Sequence, residues 1–199
     1  MTATPFGAAR QLSSSSAALV DQVRGVVVEV RNAAGGSGAG VVWGGSGLVV
    51  TNAHCVPRGA RVQVDANGKR CAARVVAYDR RHDLALVAAP SVSGPLLEHR
   101  PVETLRVGEL VFACGHPLGV RDALAMGVVH GIARDARNNA PRWVVADVRL
   151  APGNSGGPLV DADGRLVGIN SMIAGGLACA VPAVLVERFV EYAFARRAA

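Results

Sequence analysis

The stretch Gly153-Asn154-Ser155-Gly156-Gly157-Pro158-Leu159-Val160-Asp161-Ala162-Asp163-Gly164-Arg165-Leu166-Val167-Gly168-Ile169-Asn170 contains two short apolar runs, 158–161 and 166–170, on either side of Asp163-Gly164. An Asp-Gly pair tolerates the positive φ of a tight hairpin turn, so the two runs read as antiparallel strands. Working outward, similar runs rich in Val, Leu and Ile recur at 110–114, 123–132, 143–150 and 177–181. An earlier group stands at 26–30, 40–43, 48–51, 61–65, 72–78 and 84–88, with its own hairpin marker at Asn67-Gly68.

Two groups of six strands, separated by a Pro- and Gly-containing loop at 91–101, predict an all-β chain built as two packed antiparallel barrels. The period then changes. Val184, Leu185, Val186, Phe189, Val190 and Phe194 follow Pro182 on mainly one helical face, which predicts a C-terminal helix over 183–197 docked on the second barrel. Barrel one is expected over 24–90 and barrel two over 106–182. Residues 1–22, with a four-serine run at 13–16, read as a loosely held N-terminal segment with a short helix.

Composition narrows the function classes. Half of the 199 residues are apolar and 18% are charged, which fits a folded globular chain. The net charge is +6, yet a single lysine, Lys69, stands among 21 basic residues, and no basic run or interleaved aromatics appear. The sequence therefore points away from nucleic acid as the main partner. The uncharged tract 166–186 is interrupted by Asn170, Ser171, glycines and Pro182, so it reads as strands leading into a helix and not as a membrane span. No secretory leader is recognisable before residue 13, and Cys55, Cys71, Cys114 and Cys179 lack metal or redox spacing. A cytoplasmic protein with reduced thiols, no cofactor and no metal is expected.

Three polar residues stand where chemistry can be done. Ser155 sits in a glycine-rich turn between strands; glycines there let consecutive N–H groups converge on one point, although any tight β turn has similar composition. His54 closes the run 48–51, where an imidazole is held rigidly at a strand end but an ordinary surface histidine also fits. Asp83 precedes the buried run 84–88, as a carboxylate orienting a histidine or as a strand cap. In the order His, Asp, Ser, with two on the first barrel and one on the second, the three can meet between the barrels as base, orienting carboxylate and nucleophile.

These residues and their surroundings resemble the chymotrypsin-fold, trypsin-like serine proteases and, within them, the HtrA/Deg branch. The likeness is carried by Gly38-Ala39-Gly40-Val41-Val42, Thr51-Asn52-Ala53-His54, Asp83-Leu84-Ala85-Leu86, Gly115-His116-Pro117-Leu118-Gly119, and the stretch 152–170. It spans about residues 24–186, within a protease domain placed at 23–199. The resemblance implies a serine endopeptidase acting on unfolded or damaged polypeptides, with His54, Asp83 and Ser155 as catalytic residues. It also implies an oxyanion hole from the N–H groups of Gly153 and Ser155, and a supporting role for Ser171 beside the aspartate. Leu150, Ser171, Met172, Ala178 and Ala180 would line a small apolar substrate pocket favouring aliphatic residues before the cut, with Arg149 close by.

The departures are informative. No cysteine precedes Cys55, so the disulfide usual beside the histidine of trypsin-like enzymes is not implied. Asn154 replaces the aspartate that binds a freed N-terminus in zymogen-type relatives, so activation by N-terminal cleavage is not expected. HtrA relatives usually continue into peptide-binding PDZ modules, and their regulation is not implied for this chain. Relatives often form trimers through N-terminal segments, for which only Phe6 offers an aromatic anchor; no trimer is expected. His116, His82, His99 and His130 are assigned no catalytic role. Two other readings are a latent protease-fold protein that captures peptides or needs a partner, and an acyl hydrolase. The strand-helix elbow of α/β-hydrolases is absent.

Overall fold

The structure, a computed structural model, describes residues 5–198. Twelve strands form two closed barrels. The first holds β1 (Val27–Asn32), β2 (Ser37–Trp43), β3 (Ser46–Thr51), β4 (Arg61–Ala66), β5 (Lys69–Asp79) and β6 (Leu84–Ser93) in the order β1-β2-β3-β6-β5-β4. The second holds β7 (Leu110–Gly115), β8 (Ala123–Arg134), β9 (Pro141–Asp147), β10 (Pro158–Asp161), β11 (Leu166–Ala174) and β12 (Leu177–Pro182), joined in the same relative order. Closure leaves neither barrel with a continuous free edge, which suits strands this rich in β-branched residues.

Alternation places the side chains. In β4, Val62 and Val64 are buried while Arg61 and Gln63 face solvent. In β6, Leu84 to Val87 are buried on both faces, because one face fills the barrel and the other is covered by neighbouring elements. The second barrel has its own interior of Val111, Ala113, Val144, Ala146, Leu159 and Val167. The first barrel's interior is continuous with the contact between barrels, where Phe112, Cys114, Ile169 and Val181 join Val41, Val50 and Leu86.

Both ends of the chain differ from expectation. The N-terminal segment is one helix, α1 (Pro5–Val23), whose Leu19 and Val23 are buried while residues 7–15 are exposed. It is held at its C-terminal end because its apolar side chains are concentrated there. Residues 1–4 and the Phe6 side chain lie outside the described residues. The C-terminal helix, α2 (Ala183–Ala198), does not dock on the second barrel alone: Ala183, Val186 and Val190 enter the core shared with the first barrel. His99, on the linker between barrels, also pairs through Nδ1 with Glu187 of α2. The apolar stripe is narrower than its sequence suggests, since Phe194 is exposed.

Candidate active site

His54 lies in a turn of 3₁₀ helix, Ala53–Cys55, immediately after β3. The turn is pinned from below: Tyr78 Oη donates to the Ala53 carbonyl at 3.1 Å. Asp83 enters β6 from a turn and has φ +55°, a left-handed conformation that costs an ordinary residue energy. The buried Asn52 amide stabilises that turn by donating to the Asp83 carbonyl at 2.9 Å. Asn52 carries no role in the reading of the sequence; the signal there was a polar side chain directly after the run 48–51 and two residues before His54.

The two side chains meet directly. His54 Nδ1 and Asp83 Oδ2 are 2.8 Å apart, and the His54 backbone N–H donates to Asp83 Oδ1 at 3.0 Å. Ser171 Oγ donates to Asp83 Oδ2 at 2.5 Å. Burial pushes the Asp83 carboxyl up, but the hydrogen bonds from His54 and Ser171 outweigh it and hold the group below the ordinary carboxylate range. The Asp83 hydrogen bond, followed by one to Cys55, pushes the His54 imidazole up to about 10 against the effect of burial.

Ser155 comes from the second barrel, in the turn before β10. Its carbonyl accepts the Ala39 N–H of β2 at 2.7 Å, which ties the turn to the first barrel. Its hydroxyl donates to the Ser171 carbonyl at 3.2 Å. Gly156, at φ +86°, permits this approach: a Cβ there would lie 2.1 Å from the Ala39 carbonyl oxygen and 2.4 Å from Thr51 Oγ1. The trans peptide between Pro152 and Gly153 has its carbonyl turned toward Leu118, whose N–H it accepts at 3.0 Å. The Gly153 N–H therefore points the opposite way. Among the described residues, neither it nor the Ser155 N–H donates to a protein acceptor. Two free donors beside a hydroxyl can stabilise an oxyanion formed there.

The residues expected to line a substrate pocket divide into two sets. Ala178 and Ala180 are buried in the second-barrel cluster, against which Leu150 packs half-buried. Met172 pairs in register with Cys179, placing it on the opposite face of the sheet, where it is exposed. Ser171 spends its side chain on Asp83. Arg149 is exposed and has no ion-pair partner among the described residues. The remaining histidines lie elsewhere: His82 pairs with Asp79 at 2.6 Å, His99 with Glu187, and His116 Nδ1 accepts the Asp122 N–H at 3.3 Å, while His130 is exposed. All four cysteines are free.

A family described as "Trypsin-like peptidase domain" matches residues 38–169. The chain is similar to serine protease HTRA1A of Danio rerio, 34% identical over 188 residues that cover 90% of this chain and 39% of the relative. It is similar to the mitochondrial serine protease HTRA2 of Drosophila grimshawi, 34% identical over 170 residues, covering 81% of this chain and 40% of the relative. Among solved structures, the HtrA-type protease AlgW with tripeptide superposes with a TM-score of 0.79 at 26% identity, covering 88% of this chain and 62% of that one. The chain thus spans well under half the length of these curated relatives.

Proposed function

Since the chain belongs to the trypsin-like peptidase family, with HtrA-type proteases among its relatives, we propose that it is a serine endopeptidase in which Ser155 attacks the scissile carbonyl. His54 takes the hydroxyl proton through Nε2 as the bond forms, and Asp83 holds the ring in the tautomer that leaves this nitrogen free. The N–H groups of Gly153 and Ser155 receive the oxyanion. His54 then returns the proton to the leaving amine, and water, activated by the same imidazole, hydrolyses the acyl-enzyme.

The observation that carries this reading is the position of Ser171. Its hydroxyl donates to Asp83 while its carbonyl accepts from Ser155, so one residue of β11 brackets the carboxylate and the nucleophile across the cleft. Polypeptide segments without stable structure are the proposed substrates, because an extended chain must enter a cleft between two barrels. The small side chains Ala178 and Ala180 beside Leu150 support a preference for a small aliphatic residue before the cut.

One observation favours a second reading, a latent form that awaits a peptide or partner: the Ser155 hydroxyl rests on the Ser171 carbonyl, and no hydrogen bond joins it to His54. Labelling with a fluorophosphonate, compared with Ser155→Ala, and parallel cleavage of unfolded casein separate the two. Ser155-dependent labelling with casein cleavage establishes the endopeptidase. Absence of labelling in folded protein rejects it for the isolated chain and favours the latent form.

A further inference from the structure

The arginines scattered through the sequence do not remain scattered in the fold. Arg58, Arg74 and Arg196 border a groove of about 700 Å3 between β5 and α2. Arg81, Arg142 and Arg188 border an adjoining recess of about 380 Å3, and the two share Asp79, Phe189 and Tyr192. Six arginines, two of them on α2 and the others from separate stretches of the chain, thus line two adjoining depressions. Among the described residues Arg58, Arg74, Arg142 and Arg188 have no ion-pair partner, and Arg81 reaches Asp135 only at 3.9 Å. Arg196 lies over the exposed Tyr192 ring, 5.7 Å from its centroid. The acidic groups in the depression are few, and Asp79 is engaged by His82.

The wall opposite α2 is a strand edge. β4 pairs with β5 only as far as Arg61 opposite Arg74. One further bond, from the Val75 N–H to the Ala60 carbonyl at 2.9 Å, closes the ladder, and the chain turns off at Gly59, where φ is +70°. Beyond it, β5 continues through Asp79 paired on one side with β6. On its other side, among the described residues, no strand covers Val76 to Tyr78. These residues line the groove in unbroken succession. The register with β6 shifts between Val75 and Ala77, so the regular alternation is interrupted at Val76, and past that irregularity the uncovered edge presents N–H and C=O groups to which an extended peptide can add as a further strand.

We propose that this groove binds an acidic, extended segment of another polypeptide, which adds as a strand beside Val76–Asp79 with its carboxylates toward the arginines. The strand edge supplies backbone pairing that is independent of sequence. The guanidiniums select carboxylate side chains, and Phe189 and Tyr192 supply apolar contact between them. This edge favours a peptide over a nucleic acid, since a phosphate backbone cannot continue the ladder. Two carboxylates, Asp79 and Asp135, would also face a continuous polyanion in the recess. None of His54, Asp83 and Ser155 lines the groove, so the proposal does not rest on Ser155 chemistry, and its test is run without turnover.

The test measures fluorescence anisotropy of a labelled peptide of alternating Glu and Val on the Ser155→Ala protein. The peptide is expected to bind, weakening as salt is raised, while the Lys-Val counterpart does not. Arg74→Glu combined with Arg196→Glu should weaken binding by about tenfold or more, equivalent to about 1.4 kcal/mol, with an unchanged circular dichroism spectrum. The same two substitutions on the Ser155 background should retain fluorophosphonate labelling. Methylating alternate peptide nitrogens on the edge-facing register should abolish binding to the unaltered groove. Undiminished binding by the double variant, indifference to N-methylation, or tighter binding of single-stranded DNA of matched charge would each overturn the proposal.

Discussion

Ser155 donates its hydroxyl to the backbone carbonyl of Ser171 at 3.2 Å, and the carboxylate that pairs with His54 accepts from the hydroxyl of the same Ser171. The proposed nucleophile and the proposed base are therefore each held through one strand residue and are not bonded to one another. In enzymes of this chemistry the productive hydrogen bond often tightens only in the substrate-bound or transition-state complex. A crystal structure of the phosphonate adduct is expected to show Ser155 Oγ withdrawn from the Ser171 carbonyl. A phosphoryl oxygen should lie within about 2.7–3.1 Å of the Gly153 and Ser155 N–H groups. An adduct whose oxygen points away from both would remove the assigned oxyanion hole.

Asp83 accepts from the ring and backbone of His54 and from Ser171. Asp83→Asn should cut kcat by about 10⁴-fold while leaving casein KM nearly unchanged, because the wrong tautomer is then held. Ser171→Ala removes one of three bonds to the carboxylate, and a loss of about tenfold in kcat is expected. Equal effects of the two substitutions in steady-state kinetics would argue against Asp83 as the orienting group.

The pH dependence follows from the direction of the His54 shift. Asp83 first, then Cys55, push the imidazole up, to about 10, and the neutral ring is the form that accepts the serine proton. Activity should consequently be lost as pH falls through the raised value, so kcat/KM measured across neutral and alkaline buffers should still climb well above the ordinary histidine value of 6.5. In Asp83→Asn the surviving activity should titrate closer to 6.5. An acid limb at or below 6.5 in the parent protein would contradict the reading.

Gly156 occupies the point where the barrels meet. Gly156→Ala drives a Cβ to 2.1 Å from the Ala39 carbonyl oxygen at a φ of +86°, with backbone on the opposing side. A loss of about 2 kcal/mol or more is expected in urea unfolding, together with loss of fluorophosphonate labelling. Gly44→Ala is the comparison: φ is +64°, but no atom lies within 4 Å, so the cost should be about 1 kcal/mol and labelling should persist.

Arg121, between β7 and β8, and Asp65 of β4 join the two barrels. The guanidinium contacts both carboxylate oxygens, at 3.1 and 2.9 Å, and Asp65 is buried. The Arg121 hydrogen bond is the main cause lowering the Asp65 pKa from 3.8 to about 2. A carboxylate lowered in this way contributes stability that is present above its unfolded value and lost as pH falls toward 2. Arg121→Met should therefore lower stability at neutral pH, with the deficit shrinking below about pH 4. It should also slow labelling, because the same loop holds the Pro152 and Gly153 carbonyls through the Leu118 and His116 N–H groups. A deficit that stays constant down to pH 2 would show that the pair contributes no charge-dependent stability.

Much of this was legible in the chain itself because it is encoded over a few residues. Asn67-Gly68 and Asp163-Gly164 mark hairpins by their own backbone freedom, and both stand between paired strands. Alternation such as Arg61-Val62-Gln63-Val64 specifies a strand without reference to anything distant. His54, Asp83 and Ser155 could be singled out because each sits in a short, recognisable setting at a strand end. Helix α1 was underestimated, since among its described side chains only Leu19 and Val23 are buried in the core and the serine run resembles a turn.

Local pattern determined the strands, the turns, the helix at the C-terminus and the three chemical side chains. Tertiary structure alone decided which distant residues meet. It placed Asn52 under Asp83, divided Met172 from Ala178 across a sheet, laid α2 against both barrels, and bonded Arg121 to Asp65 from 56 residues away. It also gathered arginines from residues 58 to 196 along one uncovered strand edge. The reason is physical: strand period and turn preference are properties of neighbouring dihedral angles, whereas contacts across barrels arise only after closure, from packing that no short window of residues contains.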